Sequence, residues 1–170
     1  MKPELAQINV SLKERKKAIH NVSKIKNNFD SLQNNLYTLV NKKIINEEVC
    51  KYRIALKAEC EIFKVHFPST PIIPGSCILD MAKELVEDFV NMKISMREVN
   101  NIRFYDPISP ITDSEIDFYF EKEESVTEKN IENSLHKVYL VLRKKDTLQD
   151  EGVLAEMHLL VGMQKKMASS

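Results

Sequence analysis

The chain has 170 residues, 43% hydrophobic and 29% charged, a size and balance that suit one globular domain able to bury a core. Lys plus Arg and Asp plus Glu both number 25, so the net charge is zero, which argues against a chain given over to nucleic-acid binding. The 3 glycines exclude a Gly-rich phosphate loop, and no apolar run approaches the roughly 20 residues a membrane span needs.

Residues 1–35 read as an N-terminal helical arm. The stretch LKERKKAIHNVSKIKNNFDSLQNN is rich in Lys and Asn and spaces Leu12, Ile19, Val22, Ile25 and Phe29 in the loose 3–4 rhythm of an amphipathic helix. MKPELAQINVSLKERKK has no apolar signal-peptide core, so a cytoplasmic protein is expected. Residues 36–170 read as one further domain. LYTLVNKKII and VCKYRIALKAECEIF alternate apolar and polar residues as half-buried antiparallel strands do. HFPSTPIIPG follows, where Pro68, Pro71 and Pro74 make the backbone extended and stiff.

The period then switches to 3.6. In SCILDMAKELVEDFVNM the residues Ile78, Met81, Ala82, Leu85, Val86 and Phe89 form one apolar stripe, which predicts a helix of about four turns. EVNNIRFYDPISP reads as a strand ending in a proline turn, and SEIDFYFEKEE as a second. After the polar break SVTEKNIENS, KVYLVLRKKD and GVLAEMHLLVGMQ read as a hairpin across DTLQDEG. Strands on both sides of one long helix give an α+β domain. Three cysteines without metal-type spacing argue against a disulfide framework, and Cys50 and Cys60 read as small buried hydrophobes. The four histidines form no close ligand pattern, so neither a metal nor a cofactor is expected.

The loop and the helix together carry a resemblance. HFPSTPIIPG followed by SCILD resembles the active-site segment of the bacterial 3-hydroxyacyl-acyl-carrier-protein dehydratases, in which a His-Phe-Pro opening leads through Pro-Gly into the central helix of a hotdog fold. The acidic residue of that family falls five positions after the glycine, and His66, Gly75 and Asp80 keep these spacings. VNNIRFYDPISPITDSEIDFYF and GVLAEMHLLVG are similar to later strands of the family, so the likeness covers about residues 36–164. Four positions depart from it: Asp80 stands where many members have Glu, Val65 replaces a Gly, Glu84 a Gln and Ile111 a Gly.

The resemblance implies a hotdog fold, an antiparallel sheet wrapped around one central helix. It implies dehydration of 3-hydroxyacyl thioesters to trans-2-enoyl thioesters in fatty acid or related lipid or polyketide synthesis. His66 is the implied base and Asp80 the implied acid. Expelling hydroxide needs a base for the α proton and an acid for the leaving oxygen, and imidazole, with a pKa of roughly 6.5, suits the first role. The backbone N–H groups of Gly75 and Ser76, at the head of the helix, are the candidate oxyanion site. Phe67, Ile72, Ile73, Ile78 and Phe104 are the candidates for an acyl tunnel. A cis peptide is expected between His66 and Phe67. The resemblance also implies a homodimer or an oligomer of dimers, with His66 and Asp80 supplied by different subunits. The expected partner is an acyl carrier protein or another acyl-thioester carrier, which Lys64, Arg97, Arg103 and the N-terminal lysines are candidates to meet. No nucleic acid and no membrane span are expected.

Other readings stand beside these. Against the preferred catalytic roles, His66 could simply anchor a loop by a hydrogen bond, and Asp80 could sit on a solvated helix face with Lys83, Glu84, Glu87 and Asn91, pairing with Lys83. Ser76 and Cys77 have no triad pattern near them. An acyl thioesterase on the same fold, or a non-catalytic acyl-binding or partner subunit, is the alternative function.

Overall fold

Alternating sequence becomes one antiparallel sheet, and the 3.6-period segment becomes the helix lying on it. A computed structural model of the protein describes residues 31–126, 135–148 and 151–164, with the backbone alone for 124–126. Its elements in chain order are β1 (Tyr37–Ile44), β2 (Val49–Leu56), α1 (Glu61–Val65), α2 (Gly75–Val90), β3 (Lys93–Phe104), β4 (Glu115–Val126), β5 (Leu135–Lys144) and β6 (Val153–Gln164). The strand order is β1-β2-β4-β5-β6-β3, with every pairing antiparallel. The domain is α+β, as the order of periodic segments predicts.

Register places the core. In β2, Cys50, Tyr52, Ile54 and Leu56 are buried, and across the ladder β4 contributes Ile116, Phe118 and Phe120. Val138, Leu140 and Leu142 of β5 and Met157, Leu159 and Val161 of β6 continue the same face. Against it α2 buries Cys77, Ile78, Met81, Ala82, Leu85 and Val86. Each large apolar side chain taken out of water here contributes roughly 1.5–3 kcal/mol, which is why a helix without a side-chain cap at Pro74 is stable in place. At its other end Asn91 takes the left-handed conformation (φ 52°) and its N–H returns to the Glu87 carbonyl. Asn tolerates that geometry better than most residues.

The opposite face of the sheet carries charged side chains. Asp117, buried on β4, receives Arg53 Nε at 2.7 Å, Arg53 Nη2 at 2.9 Å and Lys51 Nζ at 2.8 Å. Burial pushes its carboxyl pKa up, and these cations outweigh that and hold it below the usual carboxylate range. Among the described residues the sheet ends at β1 and β3, and both ladders carry irregularities: at Leu39/Asn41 in β1 and at Met96/Glu98 and Asn100/Arg103 in β3.

Two segments differ from the sequence reading. The strand expected to run to Phe63 stops at Leu56, and Glu61–Val65 forms the short helix α1. Ala58, Cys60 and Ile62 imitate a period of two, but Ile62 and Phe63 are adjacent and both buried, which a strand cannot arrange on one face. Of the expected N-terminal helical arm, residues 1–30 lie outside the described residues. Residues 31–35 form a turn, and Leu32 and Leu36 are buried in the core.

Candidate active site

The site is built where the proline loop meets the head of α2. α1 ends at His66, whose backbone N–H bonds the Ile62 carbonyl at 3.0 Å. Phe67 then turns the chain with φ 53°, and the Thr70 N–H closes the turn on the Phe67 carbonyl at 2.9 Å. The described residues contain no cis peptide, so the expected cis bond between His66 and Phe67 is corrected to trans. The left-handed Phe67 makes the turn instead, and one such residue costs about 1–2 kcal/mol against about 3–4 kcal/mol for a non-proline cis bond. Between Pro71 and Pro74, the Ile73 N–H bonds the Ile108 carbonyl at 2.9 Å and ties the loop to the β3–β4 connection.

His66 is half-buried, and its Nδ1 lies 2.8 Å from the Ile72 carbonyl oxygen. A carbonyl only accepts, so Nδ1 carries the hydrogen and, in the neutral ring, Nε2 holds the free lone pair. The Phe67 ring meets the imidazole edge-on at 4.6 Å. The same hydrogen bond anchors the loop, so the two sequence-level roles for His66 are not exclusive.

Beside the loop is an open pocket of ≈ 290 Å³, lined by Ile72, Ile73, Gly75, Ile78, Phe104, Tyr105, Asp106, Pro107 and Ile108. The structure thus brings together Gly75 and four of the five residues expected along a tunnel. Phe67 is apart from them, 58% exposed and packed on His66. Gly75 lets the Phe104 ring approach closely: a Cβ there would stand 3.3 Å from Phe104 Cζ. Ser76 is exposed and Cys77 buried in the first turn of α2. Asp80 is half-buried on α2, outside the pocket lining as His66 is.

The polar face of α2 is mostly engaged by the protein itself. The Glu84 carboxylate accepts from the N–H groups of Leu32 (2.6 Å) and Gln33 (3.2 Å) and from the Tyr37 hydroxyl (2.9 Å). Burial first, then the Glu84 charge, drives the Tyr37 pKa far above its ordinary value. Asp88 accepts from Tyr52 Oη at 2.6 Å and Lys42 Nζ at 2.7 Å. Lys83 lies 4.0 Å from Glu87 at i, i+4.

Tyr105, Asp106, Pro107 and Ile108 line the pocket and were missed in the sequence. The only signal for them was the pair of prolines that bends YDPISP back toward the loop. Of the candidate carrier-binding cations, Lys64 pairs with Glu61 at 2.6 Å, Arg103 with Glu156 at 3.5 Å, and Arg97 is exposed. Among the described residues no group of three or more His, Cys, Asp or Glu side chains is placed to hold a metal, and no helix is long and apolar enough to cross a membrane.

Residues 42–138 match the model of the ApeI-like family, described as ApeI dehydratase. The chain belongs to the ApeI-like dehydratase family. None of the curated proteins matches the sequence. Among solved structures the chain is similar to the dehydratase heterocomplex ApeI:P from Xenorhabdus doucetiae, at 11% identity and a TM-score of 0.51 over 73% of this chain and 96% of that one. It is also similar to a mutant thioesterase from Pseudomonas aeruginosa, at 10% identity and a TM-score of 0.52 over 84% and 92% of the two chains. A third is an uncharacterized protein from Erwinia carotovora subsp. atroseptica, at 15% identity and a TM-score of 0.50 over 74% and 95%. These likenesses establish the hotdog fold, with α2 as its central helix. Membership places the chain with dehydratase-type hotdog proteins rather than specifically with the 3-hydroxyacyl-acyl-carrier-protein dehydratases that its loop resembles.

Proposed function

We propose that this chain dehydrates 3-hydroxyacyl thioesters, delivered on an acyl carrier protein, to trans-2-enoyl thioesters in fatty acid or related lipid or polyketide synthesis. The observation that carries the reading is the bond from His66 Nδ1–H to the Ile72 carbonyl. It orients the ring and leaves Nε2 as the base, on a loop whose residues 72 and 73 form the pocket wall. In this reading Nε2 takes the α proton of the thioester and Asp80 delivers a proton to the departing β hydroxyl. Negative charge on the thioester oxygen is met by the amides of Gly75 and Ser76, which head α2 and lack intrahelical acceptors. The acyl chain occupies the apolar pocket.

The working unit is a homodimer in which His66 of one copy meets Asp80 of the other. The β3 edge, which ends the sheet among the described residues and exposes Ile102 and Phe104 with Tyr105 just beyond it, supports an assembly there. The Xenorhabdus relative is a heterocomplex, so light scattering of the isolated chain is part of the test: a monomer at micromolar concentration refutes the homodimer.

The activity test offers a 3-hydroxyacyl thioester and a plain acyl thioester to the parent protein and to His66→Ala. Enoyl absorbance formed by the parent, and reduced at least about 10²-fold in the variant, is the expected result. Thiol release without enoyl product identifies a thioesterase. Equal enoyl formation by both proteins, or none by either, refutes the assignment.

A further inference from the structure

The wall of the pocket is held from the far side of the sheet. Arg103 and Glu156 face each other across the β3–β6 ladder, and the next pair, Phe104 with Ala155, is the last of that ladder. Arg103 and Tyr105 share one side of the chain, and Phe104 between them takes the other. There the Phe104 ring lies against Gly75 and forms part of the pocket. Glu156 collects both neighbours of Phe104. Its Oε1 accepts from Tyr105 Oη at 2.7 Å and from Arg103 Nη1 at 3.5 Å, while Tyr139 Oη of β5 bonds its Oε2 at 3.2 Å.

This end of β3 needs such a hold. Pairing is interrupted between Asn100 and Arg103, where Asn101 adopts φ 52°, so the backbone ladder does not carry the register of the last residues continuously. Beyond Phe104 the attachment to β6 is the Tyr105 N–H on the Leu154 carbonyl at 2.9 Å, with a longer one from Asp106 at 3.5 Å.

We propose that Glu156 is a positioning residue: by clasping Arg103 and Tyr105 it holds the Phe104 ring on Gly75, and so sets the width of the acyl pocket and the affinity for the acyl group. The proposal deepens the dehydratase reading and rests on it only for the identity of the substrate. Glu156 touches no reacting atom. Its removal acts on binding rather than on proton transfer.

The experiment has two readouts. One is KM and kcat for the 3-hydroxyoctanoyl thioester of N-acetylcysteamine. The other, with no reaction involved, is the Kd of an unreactive dansyl-labelled octanoyl amide followed by fluorescence. Glu156→Ala raises both KM and Kd about five-fold, equivalent to about 1 kcal/mol, and leaves kcat within about two-fold. Glu156→Gln keeps an acceptor oxygen for Tyr105 and recovers more than half of the loss. A merely structural role lowers the melting temperature without this split and without that recovery.

Should Glu156→Ala not fold, Arg103→Gln, at a residue outside the pocket lining, removes one arm of the same clasp and is expected to raise KM and Kd about two-fold with kcat unchanged. An unchanged Kd in a folded variant, or a fall in kcat with KM and Kd constant, overturns the proposal. If the parent makes no enoyl product but the Kd still shifts, the dehydratase reading fails and the positioning role stands.

Discussion

Replacing Glu84 by Ala tests whether this carboxylate fastens the start of the domain to its central helix. The variant removes the acceptor of three donors at once: Leu32 N–H, Gln33 N–H and Tyr37 Oη. Tyr37 and Leu32 are buried, so their polar groups lose a partner without gaining full access to water. Each such orphaned group costs about 1–2 kcal/mol, and the exposed Gln33 N–H adds little, so the expected loss is about 3 kcal/mol. That is a large share of the roughly 5–15 kcal/mol that keeps a domain folded. Glu84→Gln retains one acceptor oxygen and costs about 1 kcal/mol. Urea unfolding followed by circular dichroism gives the differences, and a double-mutant cycle with Tyr37→Phe isolates the Tyr37–Glu84 term at about 1 kcal/mol. An Ala variant within about 0.5 kcal/mol of the parent, or a cycle with no coupling, would show that the network orders the segment without stabilising it.

Three further outcomes follow from single sites. Asp117 has a depressed folded pKa, so its contribution is present above the unfolded value of about 3.9 and is lost as pH falls through the lower folded value. Acid unfolding should therefore steepen below about pH 4, and Asp117→Asn, less stable at neutral pH, should show a flatter profile there. At Gly152 a Cβ would meet Thr147 Cγ2 at 2.5 Å with φ at +65°, so Gly152→Ala should cost at least about 2 kcal/mol in a denaturant melt. At Gly75 the clash is milder, 3.3 Å from Cζ of the Phe104 ring, which is 51% exposed and need give by only a few tenths of an ångström. Gly75→Ala should shift stability by less than about 1 kcal/mol while weakening binding of an acyl probe, and the reverse pattern would remove Gly75 from the pocket.

The sequence carried the architecture and the loop because both rest on local pattern. Period-two alternation in β2, β4, β5 and β6 is the trace of one buried face, and the stripe from Ile78 to Val86 is the trace of a helix lying on it. The spacing of His66, Gly75 and Asp80 was legible because prolines and the helix phase leave few conformations between them. Where the pattern was ambiguous the reading failed: Cys60 and Ile62 imitate a strand, and the adjacent burial of Ile62 and Phe63 that makes α1 is a tertiary fact. Likewise the turn at Phe67 is set by packing against His66 and closure onto Thr70, which local pattern does not encode.

Contacts between distant residues lie beyond any such reading. Glu84 in a helical stretch looks like a solvated charge until a segment some fifty positions away brings Tyr37 and the Leu32 N–H to it. Glu156 looks like the polar half of an alternating strand until the end of β3 lays Arg103 and Tyr105 upon it. The sequence alone determined which faces are apolar and where the stiff loop enters the helix, since these depend on the residues' own chemistry and phase. Only the tertiary structure decided which polar groups meet, that Nδ1 of His66 is the donor, and that Phe104 closes on Gly75, since each depends on which strand lies beside which.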